Sequence, residues 1–227
     1  EAAPTTYSAT SEMRFAVVLY GGVSLAIYMN GIVKELFDLV RSRAPATTPP
    51  PADGSPGAAH VADDQLTGAG PVYRAMARRL DNRGVYDAGP SIRTRFVVDL
   101  ITGTSAGGIN GVFLAKALAN DLDLDPLSKL WIDEGDIGLL LNDRHASDGM
   151  GGFGREAAPE SLLSSQRMLY KLNAAMTAVT TSKPPSQRSP YVDALDLWVT
   201  ATDLRGRRQQ VQLDQPDPNH TMFEVGH

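Results

Sequence analysis

Between Arg95 and Asn120 the chain passes from a nearly unbroken apolar run, Phe96-Val97-Val98-Asp99-Leu100-Ile101, through Gly103-Thr104-Ser105-Ala106-Gly107, into apolar positions at Ile109, Val112, Phe113, Ala117 and Leu118. A short β-rich run that stops at glycine predicts a strand, and the spacing that follows predicts a helix over about 106–120. A strand apolar on both sides belongs in a parallel sheet covered on both faces. Asp99 interrupts the run and has no role in this reading. Glycines flank Ser105 because neighbouring Cβ atoms would collide in so tight a turn.

The same unit occurs earlier in the chain. Phe15 to Tyr20 predicts a buried strand, Gly21-Gly22 a turn, and Leu25, Met29, Ile32, Leu36 and Val40 one face of a helix. Further along, a short helix is expected around Val72 to Leu80 and a loose stretch at Gly135, Gly138 and Gly149 to Gly154. A helix then follows from about Ser161 to Val179, with Leu162, Leu169, Leu172 and Met176, and a strand over Leu195 to Thr202. An Arg205-Gly206 turn leads into the alternating segment Arg207 to Leu213, which suggests a hairpin. Strands alternating with helices predict one α/β domain over 13–227, built on a mainly parallel sheet. Residues 1–12 read as a disordered leader, and 43–70, centred on Pro49-Pro50-Pro51, as a mobile insertion with no packed core.

Composition removes several alternatives. A chain of 227 residues, 42% apolar, is long enough for one substantial core. A formal charge of −5 gives no basic face for nucleic acid. There is no cysteine, so disulfides, thiolate metal sites and thiol nucleophiles are excluded, and covalent chemistry must come from oxygen or nitrogen. The longest apolar run, Phe15 to Met29, is broken by Gly21-Gly22 and falls short of the roughly 18 residues of a spanning helix. Arg14 precedes the run, as in a secretory signal, but the region before it is polar and nearly uncharged and no small-x-small cleavage site follows promptly.

Gly103 to Gly107 fits the G-x-S-x-G pattern of a nucleophile elbow, in which a strained strand-to-helix turn lifts a serine hydroxyl out of the sheet. The string alone is a weak signal; its place between a buried strand and a helix strengthens it. Ser105 would then face the positive end of a helix, and the Ala106 N–H could meet a developing oxyanion. Acyl transfer wants a second donor, and the turn Gly21-Gly22-Val23-Ser24 is its plausible source, since both turns lie at the carboxyl ends of parallel strands. Two other readings stay open. His145 or His220 could serve a Ser-His-Asp arrangement, or the Gly103 to Gly108 loop could cradle a phosphate without catalysis.

Leu19-Tyr-Gly-Gly-Val-Ser-Leu-Ala26 resembles the patatin oxyanion loop, and Asp99-Leu-Ile-Thr-Gly-Thr-Ser-Ala-Gly-Gly-Ile109 resembles its nucleophile elbow. Val199-Thr-Ala-Thr-Asp-Leu204 is similar to a later structural strand of patatin-like proteins. The resemblance implies a three-layer α/β/α fold and lipid acyl hydrolysis by a Ser-Asp dyad. Ser105 would be the nucleophile, Gly21, Gly22 and Ala106 the oxyanion donors, and no metal or cofactor would be needed. It also implies a lipid or acyl-ester substrate, peripheral contact with a membrane surface, and a cytoplasmic or peripheral-membrane location. The sequence departs from the family pattern twice. Val23, Leu25 and Ala26 stand where patatins carry glycine, a basic residue and glycine, and no Asp-Gly-Gly or Asp-Gly-Ala follows Asp203. The domain is therefore expected to continue past His227, with Asp148, in Asp148-Gly149, a weaker candidate for the base.

Overall fold

The computed structural model describes residues 9–22, 25–44, 61–81, 92–151, 161–182, 184, 189–203, 206, 209–211 and 223–225. Strands β1 (Ala9–Leu19), β2 (Ile92–Thr104) and β3 (Asp196–Thr200) form a parallel sheet in the order β1-β2-β3. Helices α1 (Ala26–Ser42) and α3 (Ala106–Asn120) follow β1 and β2 and pack against each other. The class is α/β with a parallel sheet flanked by helices, compatible with the expected three-layer α/β/α arrangement.

Successive right-handed crossovers along one direction of a sheet lay their helices on the same face. That face carries Val17, Leu19 and Ile101, which join Met29, Val33, Phe37 and Val40 of α1 and Phe113, Leu114 and Leu118 of α3 in one buried cluster. Glycines let α3 approach closely: a Cβ on Gly111 would lie 3.1 Å from Ile101 Cγ2, and one on Gly108 would lie 3.0 Å from Val199 Cγ1. On the opposite face Val18, Thr102 and Trp198 stand in register, and Val18 and Trp198 are exposed among the described residues.

Several expectations need correction. The stripe that α1 buries runs through Ala26, Met29, Val33, Phe37 and Val40, leaving Leu25 and Ile32 exposed. Apolar residues occupy two faces of this helix, so spacing alone could not choose between them. Residues 9–12, expected in a leader, extend β1, where Ala9 to Glu12 pair with Ile92 to Arg95. Within the expected insertion, Val61 and Leu66 are buried, and Arg74 of α2 (Gly70–Asp81) donates to the carbonyls of Ser42 and Val61 and to Asp63. Residues 61–69 thus pack as the approach to α2; residues 45–60 lie outside those described.

The stretch after Asp121, expected to be loose, contains α4 (Asp125–Glu134) and α5 (Ile137–Leu140) before α6 (Ser165–Thr181). A proline in the first turn starts α4, where its missing N–H costs nothing. β4 (Gln209–Val211) pairs antiparallel with β5 (Phe223–Val225), whereas β3 pairs with β2, so among the described residues the segment after the Arg205-Gly206 turn finds a later partner in place of the expected hairpin with β3. Asp99 also finds an explanation. Phe15 pairs with Val98 and Ala16 with Leu100, so Asp99 is the extra residue of a bulge, and its carboxylate accepts from Arg14 Nη1 at 2.5 Å.

Candidate active site

β2 ends at Thr104 and α3 begins at Ala106, leaving a single residue for the turn. Ser105 adopts φ 53° and ψ −125°, a conformation that costs a non-glycine residue about 1–3 kcal/mol unless its surroundings impose it. The flanking glycines show what imposes it. A Cβ on Gly103 would lie 2.5 Å from the Gly107 carbonyl oxygen, and one on Gly107 would lie 2.3 Å from that of Leu19. Strand end and helix start are pressed together until only backbone fits between them. Ser105 is exposed, and no described side chain hydrogen-bonds its hydroxyl.

The Gly21-Gly22 turn abuts this elbow. A Cβ on Gly21 would lie 3.0 Å from Ser105 Cβ and 3.2 Å from the Thr104 carbonyl oxygen. Gly22 has φ 141°, and its carbonyl accepts from the Leu25 N–H at 3.1 Å, closing the turn into α1. Val23 and Ser24 lie outside the described residues. Helices of 17 and 15 residues, α1 and α3, thus begin beside one serine. Their first-turn N–H groups have no partner within the helix, and the two dipoles make the surroundings of Ser105 electropositive. Ala106, at the head of α3, is buried; Tyr20 and Leu25 beside the turn are exposed, as are Ile27 and Tyr28 in the first turn of α1.

Other candidates from the sequence lie elsewhere. His145 Nδ1 pairs with Asp148 Oδ2 at 3.0 Å, and its Nε2 accepts from Arg144. The backbone carbonyl of Asp148 accepts from Arg167 of α6, whose Nε also pairs with Glu134 at the end of α4. His145 and Asp148 therefore belong to the α4–α6 corner, and the structure does not bring either into contact with Ser105. Asp203 opens the turn after β3, its carbonyl accepting from the Gly206 N–H at 3.1 Å, and His220 lies outside the described residues. Among the described residues no cluster of three or more His, Asp or Glu could hold a metal ion.

Sequence reasoning missed Asn110, one turn into α3 and fully buried. Its Nδ2 donates to the carbonyls of Ala106 at 2.9 Å and Ala26 at 3.2 Å, and its Oδ1 accepts from Trp131 Nε1 at 3.2 Å. A polar side chain among the apolar positions of a helix was the available signal.

No family model matches the sequence, and no solved structure matches it. The chain is similar to a protein of Mycobacterium tuberculosis (strain H37Rv) named uncharacterized membrane protein Rv3479, with 29% identity over 208 residues. That match covers 87% of this chain and 16% of the relative, so the chain spans about one-sixth of the relative's length. Among the described residues, no helix is long and apolar enough to cross a membrane.

Proposed function

We propose that this chain carries the nucleophile and oxyanion-stabilising parts of a patatin-like serine acyl hydrolase acting on lipid or other carboxylic esters. The observation that carries the reading is the strained Ser105 backbone, held with its side chain exposed between two helix starts. Strain of this kind persists where packing over-determines it, and it concentrates at active sites.

In the reaction, Ser105 Oγ bonds to the ester carbonyl carbon while a base takes the hydroxyl proton. The N–H groups of Ala106 and of the Gly21-Gly22 turn stabilise the resulting oxyanion. The carbon–oxygen bond to the alcohol then breaks, and the alcohol leaves with the proton from the base. Water adds to the acyl-enzyme by the same route, releasing the acid and restoring Ser105. The patatin resemblance makes the base an aspartate. A carboxylate is a weak base for a hydroxyl, so oxyanion stabilisation carries much of the rate.

Exposed Tyr20, Leu25, Ile27 and Tyr28 support a substrate with an acyl chain and peripheral contact with a lipid surface. The relative's name, a membrane protein, agrees with that direction. The test is turnover of a p-nitrophenyl acyl ester and of phospholipid vesicles by the intact protein and by Ser105→Ala. Loss of turnover in the variant is expected; equal turnover would remove the proposal.

A further inference from the structure

The geometry points to Asn110 as a positioning residue that fixes the two oxyanion-donor turns relative to each other. This rests on the acyl-hydrolase reading above and adds a residue that does not touch the substrate. The two turns belong to different segments: Gly21-Gly22 is carried by the β1–α1 connection, and Ala106 by the β2–α3 connection. An oxyanion hole built from both works only if their N–H groups converge on one point, and a displacement of about 1 Å can cost on the order of 10²-fold in rate.

One side-chain amide bridges the two segments. Asn110 Nδ2 has two hydrogens, and the structure uses it for two acceptors: the carbonyl of Ala106, which opens α3, and that of Ala26, which opens α1. Ala106 is itself a candidate donor, and Ala26 follows by one residue the Leu25 N–H that closes the Gly22 turn. The remaining acceptor, Oδ1, takes the Trp131 indole N–H of α4, which fixes which way the amide faces. Asn110 and Trp131 are both buried, so water does not compete for these bonds.

Helix integrity does not require the bridge. The carbonyls of Ala26 and Ala106 each receive a backbone N–H four residues on by ordinary helix geometry. What the amide adds is a fixed distance between two helix starts. No hydroxyl, carboxylate or aliphatic side chain at this position has the two donor hydrogens and one acceptor that the arrangement uses.

The experiment compares Trp131→Phe with the double variant Asn110→Leu/Trp131→Phe in the intact protein. The double variant replaces the polar pair with apolar groups of similar shape, leaving no buried donor unpaired. Three readouts are taken beside melting temperature: the rate of Ser105 labelling by a fluorophosphonate, the backbone amide resonances of Gly21, Gly22 and Ala106, and KM for a short ester. Trp131→Phe is expected to label within about threefold of wild type, because both donor bonds remain. The double variant is expected to label slower by on the order of 10²-fold, with those three resonances displaced and little change in KM for a short ester.

Asn110→Asp, which keeps an acceptor for Trp131 and removes both donors, should show the same loss while the indole N–H resonance of Trp131 stays in place. It serves as the second variant if the double variant does not fold. Unmoved glycine and Ala106 resonances, or labelling that falls only in proportion to melting temperature, would overturn the inference. If wild-type Ser105 is not labelled at all, the hydrolase reading fails instead, and the amide resonances still test the bridge.

Discussion

Adding one methyl group at Gly107 should damage this protein, and adding the same group at Gly31 should stabilise it. A Cβ on Gly107 would sit 2.3 Å from the Leu19 carbonyl oxygen and 2.6 Å from that of Tyr20, where ordinary contacts begin near 3.4 Å. Neither oxygen belongs to a side chain that can swing away, and Leu19 is locked in register opposite Gly103. Relief requires α3 or the end of β1 to move by about 1 Å, as judged against a contact distance of 3.4 Å. Overpacking of this kind costs about 1–3 kcal/mol or more, offset by up to about 1 kcal/mol from the better helix propensity of alanine.

We expect a net loss of about 2 kcal/mol for Gly107→Ala, lowering Tm by about 4–8 °C in a domain of this size. Fluorophosphonate labelling of Ser105 should slow by on the order of 10²-fold, because the displaced elements carry the elbow and the first donor turn. Gly31 is exposed in the middle of α1, with nothing within 4 Å of an added Cβ. There the propensity gain stands alone, and Gly31→Ala should raise stability by about 0.5–1 kcal/mol. Urea unfolding of both variants checks the pair. A Gly107→Ala protein as stable as wild type would refute the close approach of β1 and α3.

The strain at Ser105 has its own signature: Ser105→Gly should be more stable than Ser105→Ala by about 1 kcal/mol in chemical unfolding, while neither variant is labelled. Asp38 is buried in α1, and that burial pushes its carboxyl pKa up. With the folded value above the unfolded value of about 3.9, its titration favours the folded state below about pH 4, and this benefit is lost as pH rises through the folded value. Asp38→Asn should therefore compare more favourably with wild type at neutral pH than near pH 3.5, and urea midpoints moving the other way would contradict this. His145→Ala should keep ester turnover within about threefold, since the imidazole is engaged by Asp148 and Arg144; a loss on the order of 10³-fold would make it the base.

The sequence displayed the elbow because its chemistry is local. Glycine on either side of Ser105, an apolar run before it and helical spacing after it are all set between Arg95 and Asn120, and α3 begins and ends where that spacing placed it. The α1 stripe was harder to read, because Leu25 and Ile32 continue the same period as the buried residues and only the sheet beneath decides which face is covered. Helix α4 was hidden by the glycines after it, although Pro126 and Asp125 mark its first turn. Val61 and Leu66 are buried, and the Val61 carbonyl is held by Arg74, a contact formed on folding that the proline-rich composition of the segment concealed. Asp99 and Asn110 each stand out in the linear chain as a polar residue among apolar ones, but what each contacts follows from a register slip between two strands and from helices brought together by folding.

The central claim is that Ser105 is a nucleophile, and mass spectrometry of the intact protein after reaction with a fluorophosphonate tests it most directly. The adduct forms when the serine oxygen bonds to phosphorus and fluoride leaves, so it reports the attacking group without requiring knowledge of the natural ester. One adduct per chain, mapped to the peptide containing Gly103-Thr104-Ser105-Ala106-Gly107 and absent from Ser105→Ala, is the predicted result. An unlabelled wild-type protein, or an adduct that persists in Ser105→Ala, would contradict it.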